Sequence, residues 1–302
     1  MPVVKLHADE PDIDPDLVGR LLAGQFPQWA ALPVAEGGSA GTDNVTYRLG
    51  TELAVRLPRA PWTVDQVRKE QRWLPLLAPR LPLEIPVPVG LGEPAEGYPW
   101  PWSVYRWLDG ETATAERIAD PVRTATALAG FLVALRRIDA TGGPLSGTGD
   151  SSRGVPLAER DAPVREAIAR LDGEIDIAAV TAAWESALRA PVWAGPPVWV
   201  HGDLSAGNLL VRQGSLAAVI DFGGLAVGDP AVDALVAWNL FSGESREAFR
   251  AALGLDEAAW ARGRGWALSV ALIALPYYLR TEPGIVAGSR HAIAEVLADQ
   301  PG

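Results

Sequence analysis

The sequence predicts an α+β protein of two lobes, a small antiparallel-sheet N-terminal lobe followed by a larger, mostly helical C-terminal lobe. Three observations lead there. Short β-branched and apolar runs around glycine-rich turns fill residues 36–57 and resume at 103–107. Beyond residue 122 the apolar residues recur mainly at helical spacing, interrupted by three short strand-like runs between 197 and 221. At 302 residues the chain is long for one compact core and comfortable for two lobes. The expected boundaries are 1–102 for the first lobe with its leading helix, 103–108 for a hinge, and 109–302 for the second lobe.

Residues 12–32 read as an amphipathic leading helix, because Leu17, Leu21, Leu22 and Phe26 fall on one face. Glu36–Leu49 reads as strand, Gly-rich turn and strand, and Leu53–Leu57 as the next strand. Asp65–Leu77 has helical character, with Val67, Trp73, Leu74 and Leu77 apolar. Residues 82–101 are rich in Pro and Gly, which suits edge strands and turns. Ser103–Trp107 is the last strand of the small lobe. Leu128, Leu132, Leu135 and Ile138 mark a helix over 122–138. Thr141–Val155 is the most loop-like stretch and precedes helical runs at 163–172 and 177–189. Pro197–Val200 is a short strand, and Leu209–Arg212 with Leu216–Asp221 predict a hairpin around Gln213-Gly214-Ser215. Asp229 is a helix N-cap with Pro230 at the first helical position. Gly265–Leu279 is the longest uncharged run; its fifteen residues, with Pro276 inside, are too few to span a membrane and read as a buried helix.

The chemistry is concentrated between residues 201 and 221. His201-Gly-Asp-Leu-Ser-Ala-Gly-Asn208 is followed, thirteen positions after Asn208, by Asp221-Phe222-Gly223. An acid, an amide five residues on and a second acid in Asp-Phe-Gly form the layout that phosphoryl transfer needs. The first acid accepts the proton of an attacking hydroxyl; the amide and second acid hold Mg²⁺ on the nucleotide phosphates. Asn208 and Asp221 offer one amide and one carboxylate, an oxygen set suited to a metal that arrives with ATP. The Gly-rich turn adds small residues, Ser39 among them, that let backbone N–H groups approach phosphate oxygens; a plain hairpin turn is the other reading of that segment.

His201-Gly-Asp-Leu-x-x-Gly-Asn208, Ile220-Asp-Phe-Gly and Gly228-Asp-Pro-Ala-Val-Asp233 together resemble the aminoglycoside phosphotransferase family, a small-molecule branch of the protein-kinase-like superfamily. The resemblance runs from about residue 37 to beyond residue 230. It implies a protein-kinase-like fold in which Asp203 is the catalytic base and Asn208 and Asp221 are the Mg²⁺ ligands. It also implies that Asp233 braces the catalytic loop and that His201 orients it, a packed structural histidine being the alternative. Residues 103–107, including Tyr105, would run into a hinge whose backbone meets the adenine edge. Where protein kinases carry a lysine, the strand reads Leu53-Ala-Val-Arg56-Leu57, and the chain's two lysines, Lys5 and Lys69, lie elsewhere. Arg56 therefore takes the phosphate-pairing role, or nothing does, and guanidinium can grip phosphate bidentately. Glu70 on the following helix is its expected partner, with an ordinary solvated helix charge as the alternative. The cofactors implied are Mg²⁺ and ATP, with GTP open.

Composition narrows the partners. The absence of Cys excludes disulfides, zinc–thiolate sites and thiol nucleophiles, and fits a reducing cytoplasm. The N-terminus lacks a sustained apolar core and is not read as a signal peptide. A net charge of −11 argues against nucleic acid, whose phosphates need clustered Lys and Arg. The same charge would steer a cationic acceptor. The resemblance places the inserted helices along one wall of the substrate pocket, where Glu159, Asp161, Glu166 and Asp172 either meet an amine or form a solvated helix face. The expected protein is thus a cytoplasmic, monomeric kinase for a small, amine-bearing hydroxyl acceptor, without membrane or nucleic-acid partners. A metabolic alcohol of the choline, homoserine or sugar type is the alternative acceptor, and a catalytically silent nucleotide-binding module the alternative class. Most of the twelve tryptophans are expected in the core.

Overall fold

The computed structural model describes residues 10–37, 43–148 and 152–299. The chain divides into two units, residues 1–109 with 218–223, and residues 110–217 with 224–302.

In the first unit, helix α1 (Pro15–Gln25) starts where Asp14 accepts a hydrogen bond from the Leu17 N–H at 2.7 Å, with Pro15 in the first turn. It ends seven residues before the expected limit at 32, because Pro27 follows and residues 27–31 form turns. Leu17, Val18, Leu21 and Leu22 are buried against an antiparallel sheet of β1 (Val34–Glu36), β2 (Asn44–Leu49), β3 (Leu53–Pro58), β4 (Pro88–Gly92) and β5 (Trp102–Arg106). The sheet order is β1-β2-β3-β5-β4. Helix α2 (Val64–Leu77) lies in sequence between β3 and β4 and buries Val67, Glu70, Leu74 and Leu77. Gly92 is fixed by packing, since a Cβ there would sit 2.0 Å from the Trp102 indole. A buried ion pair, Arg59 to Glu10 at 2.7 Å, ties the end of β3 to the segment before α1.

The second unit is mostly helical. Strand β6 (Glu111–Thr112) is followed by α3 (Pro121–Arg137), capped by Asp120, and by α4 (Asp161–Ala169) and α5 (Ile177–Leu188), capped by Asp176. Strand β7 (Val198–Val200) precedes the expected hairpin, β8 (Leu209–Arg212) and β9 (Ser215–Val219), and β10 (Ala226–Gly228) pairs antiparallel with β7. The 3₁₀ segment Pro230–Leu235 leads into α6 (Val236–Asn239), α7 (Gly243–Leu253), α8 (Glu257–Tyr278) and α9 (Pro283–Ala298). Helix α8 contains the long uncharged run up to Tyr278 and buries Trp260, Trp266, Leu268 and Leu272. Its Gly263 allows the 3₁₀ segment to pack closely, since a Cβ would lie 2.6 Å from the Ala234 Cβ. Among the described residues no helix is long and apolar enough to cross a membrane. Trp102, Trp184, Trp199, Trp238 and Trp266 are fully buried, as packing of large apolar side chains favours.

Candidate active site

The residues singled out in the sequence fall into two groups, one in each unit. In the first unit Arg56 on β3 is paired with Ser103 on β5, and Tyr105 with Ala54. Alternate strand residues share a face, so Arg56, Ser103 and Tyr105 project to the same side of the sheet. Glu70 on α2 meets them there. Arg56 Nη1 donates to Glu70 Oε1 at 2.8 Å and Oε2 at 3.0 Å, while Nη2 donates to Asp221 Oδ1 at 2.7 Å. The Tyr105 hydroxyl donates to Glu70 Oε2. Glu70 is 2% exposed, which rules out a solvated helix charge. Burial alone would pull the Arg56 guanidinium down, but Glu70 and then Asp221 hold it well above the ordinary arginine range. Burial, then the Glu70 charge, pushes the Tyr105 hydroxyl well up, so it stays a donor. The Tyr105 side chain thus serves the ion pair from within the last strand. Arg56, Glu70, Ser103 and Tyr105 line a small pocket with Asn44, Gln66 and Val67, with room for about one water molecule.

Asp221 lies two residues beyond β9 at φ +62°, in the left-handed region that non-glycine residues seldom adopt. Its Oδ1 also accepts from the Gly223 N–H at 3.3 Å, and Lys69 Nζ donates to the Gly223 carbonyl at 2.6 Å. Lys69, which the sequence left without a task, pins the turn that presents Asp221. Ser39 lies outside the described residues.

In the second unit, β7 delivers the chain into the loop 201–208. Asp233, fully buried, accepts from the His201 N–H through Oδ2 at 3.0 Å and from the Gly202 N–H through Oδ1 at 2.8 Å. Burial pushes the Asp233 carboxyl up, against the pull of His201, Arg136 and those two N–H groups. His201 Nδ1 accepts from the Asp203 N–H at 3.2 Å, and Asn208 Nδ2 donates to the Asp203 carbonyl at 2.7 Å and to Oδ2 at 3.4 Å. Asn239 closes the loop's far side through the Leu204 carbonyl at 2.9 Å. The backbone of Asp203 is therefore held at both ends while its side chain stays 46% exposed, as a base that must meet a substrate requires. Asp229 caps the 3₁₀ segment through the Ala231 N–H at 2.9 Å and also takes Arg262 in a buried pair at 2.7 Å.

Arg153 went unnoticed in the sequence. Its Nη2 lies 3.1 Å from Asp203 Oδ1. It sits in a Gly- and Ser-rich loop fifty residues from the base, and nothing in local spacing signals such a contact. The acids expected along a pocket wall are differently engaged. Asp161 pairs with Arg165 at 2.9 Å and accepts from Trp184 Nε1, and Glu166 pairs with Arg170 at 2.5 Å on the same helix. For these two acids the solvated helix face is the arrangement observed.

The donors suit a hard cation. Asn208 turns its Nδ2 toward the loop, and its Oδ1 has no partner among the described residues. Asp221 adds a carboxylate that is 38% exposed. Each is an oxygen donor of the kind Mg²⁺ takes.

A family model described as the phosphotransferase enzyme family matches residues 34–266. No curated protein matches the sequence. Among solved structures, the chain is similar to the GDP complex of aminoglycoside 2'-phosphotransferase-IIIa, with a TM-score of 0.74 at 21% identity over 95% of this chain and 99% of that one. The streptomycin–ATP complex of APH(2")-IIa gives a TM-score of 0.60 at 20% identity, covering 96% and 98% of the two chains. An apoenzyme structure of the macrolide 2'-phosphotransferase MphH from Brachybacterium faecium gives 0.60 at 23% identity, covering 96% and 99%. At these identities the likeness speaks for the kinase-like fold.

Proposed function

The chain belongs to the phosphotransferase enzyme family, and on that premise we propose that it transfers the γ-phosphoryl group of ATP, or of GTP, to a hydroxyl of a small amine-bearing molecule of the antibiotic type. The observation that carries the reading is the 201–208 loop. Asp203 is presented to solvent from a backbone fixed by His201, Asn208 and the buried Asp233. A carboxylate so fixed can orient an attacking hydroxyl and accept its proton. Asn208 and Asp221 would hold the Mg²⁺ that arrives with the nucleotide, and the ion supplies charge neutralisation on the phosphates. Arg56, paired with a Glu70 that Tyr105 holds in turn, keeps a fixed positive charge for the phosphate oxygens. The complexes with GDP and ATP in proteins of similar fold support a nucleotide donor of either base. Streptomycin in one of them, and the macrolide specificity named for another, support an antibiotic-type acceptor.

Release of ADP or GDP from the Mg²⁺-nucleotide, measured over a panel of aminoglycosides, macrolides, choline, homoserine and neutral sugars, tests the proposal. Turnover with at least one aminated antibiotic, lowered by about 10²–10⁴ in Asp203→Asn, is the expected result. Turnover confined to a metabolic alcohol would replace the acceptor, and nucleotide binding without transfer to any of them would leave a silent binding module.

A further inference from the structure

Two arginines of the second unit stand apart from their neighbours. Arg165 and Arg170 find carboxylates on their own helix. Arg160 has only hydroxyl partners among the described residues, Ser152 Oγ at 2.8 Å and Ser269 Oγ at 3.4 Å, with its guanidinium 5.9 Å from the Trp266 ring centroid. Among the described residues Arg153, beside Ser152, has one carboxylate partner, Asp203. Burial, followed by the charge of Arg153, pulls the Arg160 guanidinium below its ordinary range, so the two cations feel one another. Among the described residues these two partly buried like charges have one carboxylate partner between them, Asp203 on Arg153, in a chain whose net charge is −11. Such a surplus costs stability unless an anion joins it.

Arg153 is built into its place. Gly202, at φ +83°, leaves the room its stem occupies, since a Cβ there would lie 2.9 Å from the Arg153 Cβ. The next residue, Gly154, accepts the Asp229 N–H at 2.9 Å, and Val155 is buried. A guanidinium carries five N–H donors. Here Nη2 meets Asp203, and Nη1 is buried with no partner among the described residues. A hydroxyl bound to Asp203 lies about 3 Å from the carboxylate, so Arg153 lies within about 6 Å of the reacting oxygen.

We propose that Arg153 and Arg160 form an oxyanion subsite beside the catalytic base, and that it receives a phosphoryl oxygen during transfer. The inference rests on the kinase reading above. In the step, the acceptor oxygen bonds to phosphorus as its proton passes to Asp203. The bond from phosphorus to the nucleotide bridging oxygen breaks, and its electron pair leaves with the diphosphate. Arg153 forms no covalent bond; it offsets charge on the phosphoryl oxygens, the service an arginine renders in other phosphoryl transfers.

The test compares Arg153→Gln and Arg160→Gln with the wild-type chain by two readouts. One is binding of inorganic phosphate to the nucleotide-free protein by calorimetry, which needs no turnover. The other is the steady-state rate with Mg²⁺-nucleotide across the acceptor panel. Arg153→Gln is expected to weaken phosphate at least tenfold and to lower kcat at least tenfold, with nucleotide KM within about twofold. Arg160→Gln should show the same pattern at a few-fold. Added guanidinium ion should partly restore Arg153→Ala, which a merely structural role would not permit. A kcat loss shared by all acceptors identifies the anion as the phosphoryl in transit; a KM increase confined to carboxylate- or phosphate-bearing acceptors supports the subsite and assigns it to the acceptor. Unchanged phosphate binding in folded Arg153→Gln, or faster turnover, overturns the proposal and leaves Arg153 a restraint on Asp203. Because phosphate binding is read without turnover, the subsite can fail while Asp203→Asn still slows transfer, and the reverse.

Discussion

Arg56 does with one side chain what a lysine could not, since its Nη1 takes Glu70 and its Nη2 takes Asp221 at the same time. A compact ammonium on a flexible stem lacks that fork. Arg56→Lys should keep the Glu70 pair and lose the contact that sets Asp221. The Mg²⁺ needed for half-maximal rate should then rise roughly 3- to 10-fold, the worth of about one charge-assisted hydrogen bond. A titration of rate against Mg²⁺ reads this directly, and an unmoved midpoint would show that Asp221 is set by other groups. Asp203 stands at the other end of the reaction. Asp203→Asn should leave nucleotide affinity within a few-fold and lower kcat by about 10²–10⁴, the usual contribution of positioned acid–base help. Wild-type turnover in that variant removes Asp203 from the mechanism.

Among elements, the short 3₁₀ segment Pro230–Leu235 supports the loop 201–208. Asp229 starts it and pairs with Arg262, and Asp233 projects from it to hold the His201 and Gly202 N–H groups. In Asp233→Ala two buried N–H groups lose their acceptor, which should cost roughly 3 kcal/mol of stability. A urea melt should show an earlier midpoint, and kcat should fall because the loop carrying Asp203 loosens. If melt and rate both match wild type, the brace is not what shapes the loop. Gly202 makes a second case. At φ +83°, with a prospective Cβ 2.6 Å from the Gly224 carbonyl oxygen, Gly202→Ala combines backbone strain with a clash against main chain. Its activity should drop more than its helical content, compared by rate and far-UV circular dichroism.

Across the whole molecule the dominant quantity is charge, −11 in 302 residues. If that field steers an aminated acceptor, kcat/KM should fall as ionic strength is raised, because exposed charges are screened beyond about 8–10 Å at physiological salt. Rates for an aminoglycoside and a neutral sugar, each followed from low to high NaCl, distinguish steering from a general salt effect. Equal slopes for both would remove charge as a determinant of acceptor choice. The arginine pair makes the converse local statement, a positive spot beside the base in an acidic protein.

The sequence by itself determined the α+β class, the hairpin around residue 214, the cap at Asp229 and the order of the phosphoryl-transfer residues. Each of these is written in short-range spacing, which local backbone geometry and metal chemistry convert directly into structure. It also picked out Glu70 as a partner for Arg56 while leaving open a solvated charge, because helix spacing gives a face and not its burial. Only tertiary structure decided that burial, the turning of Tyr105 onto Glu70, the bridge from Arg56 to Asp221 across 165 positions and the placement of Arg153 on Asp203. It likewise tied Asp161 and Glu166 to arginines of their own helix. These are contacts between residues distant in sequence or rotamer choices among near neighbours, and both are set by packing, which no local pattern encodes.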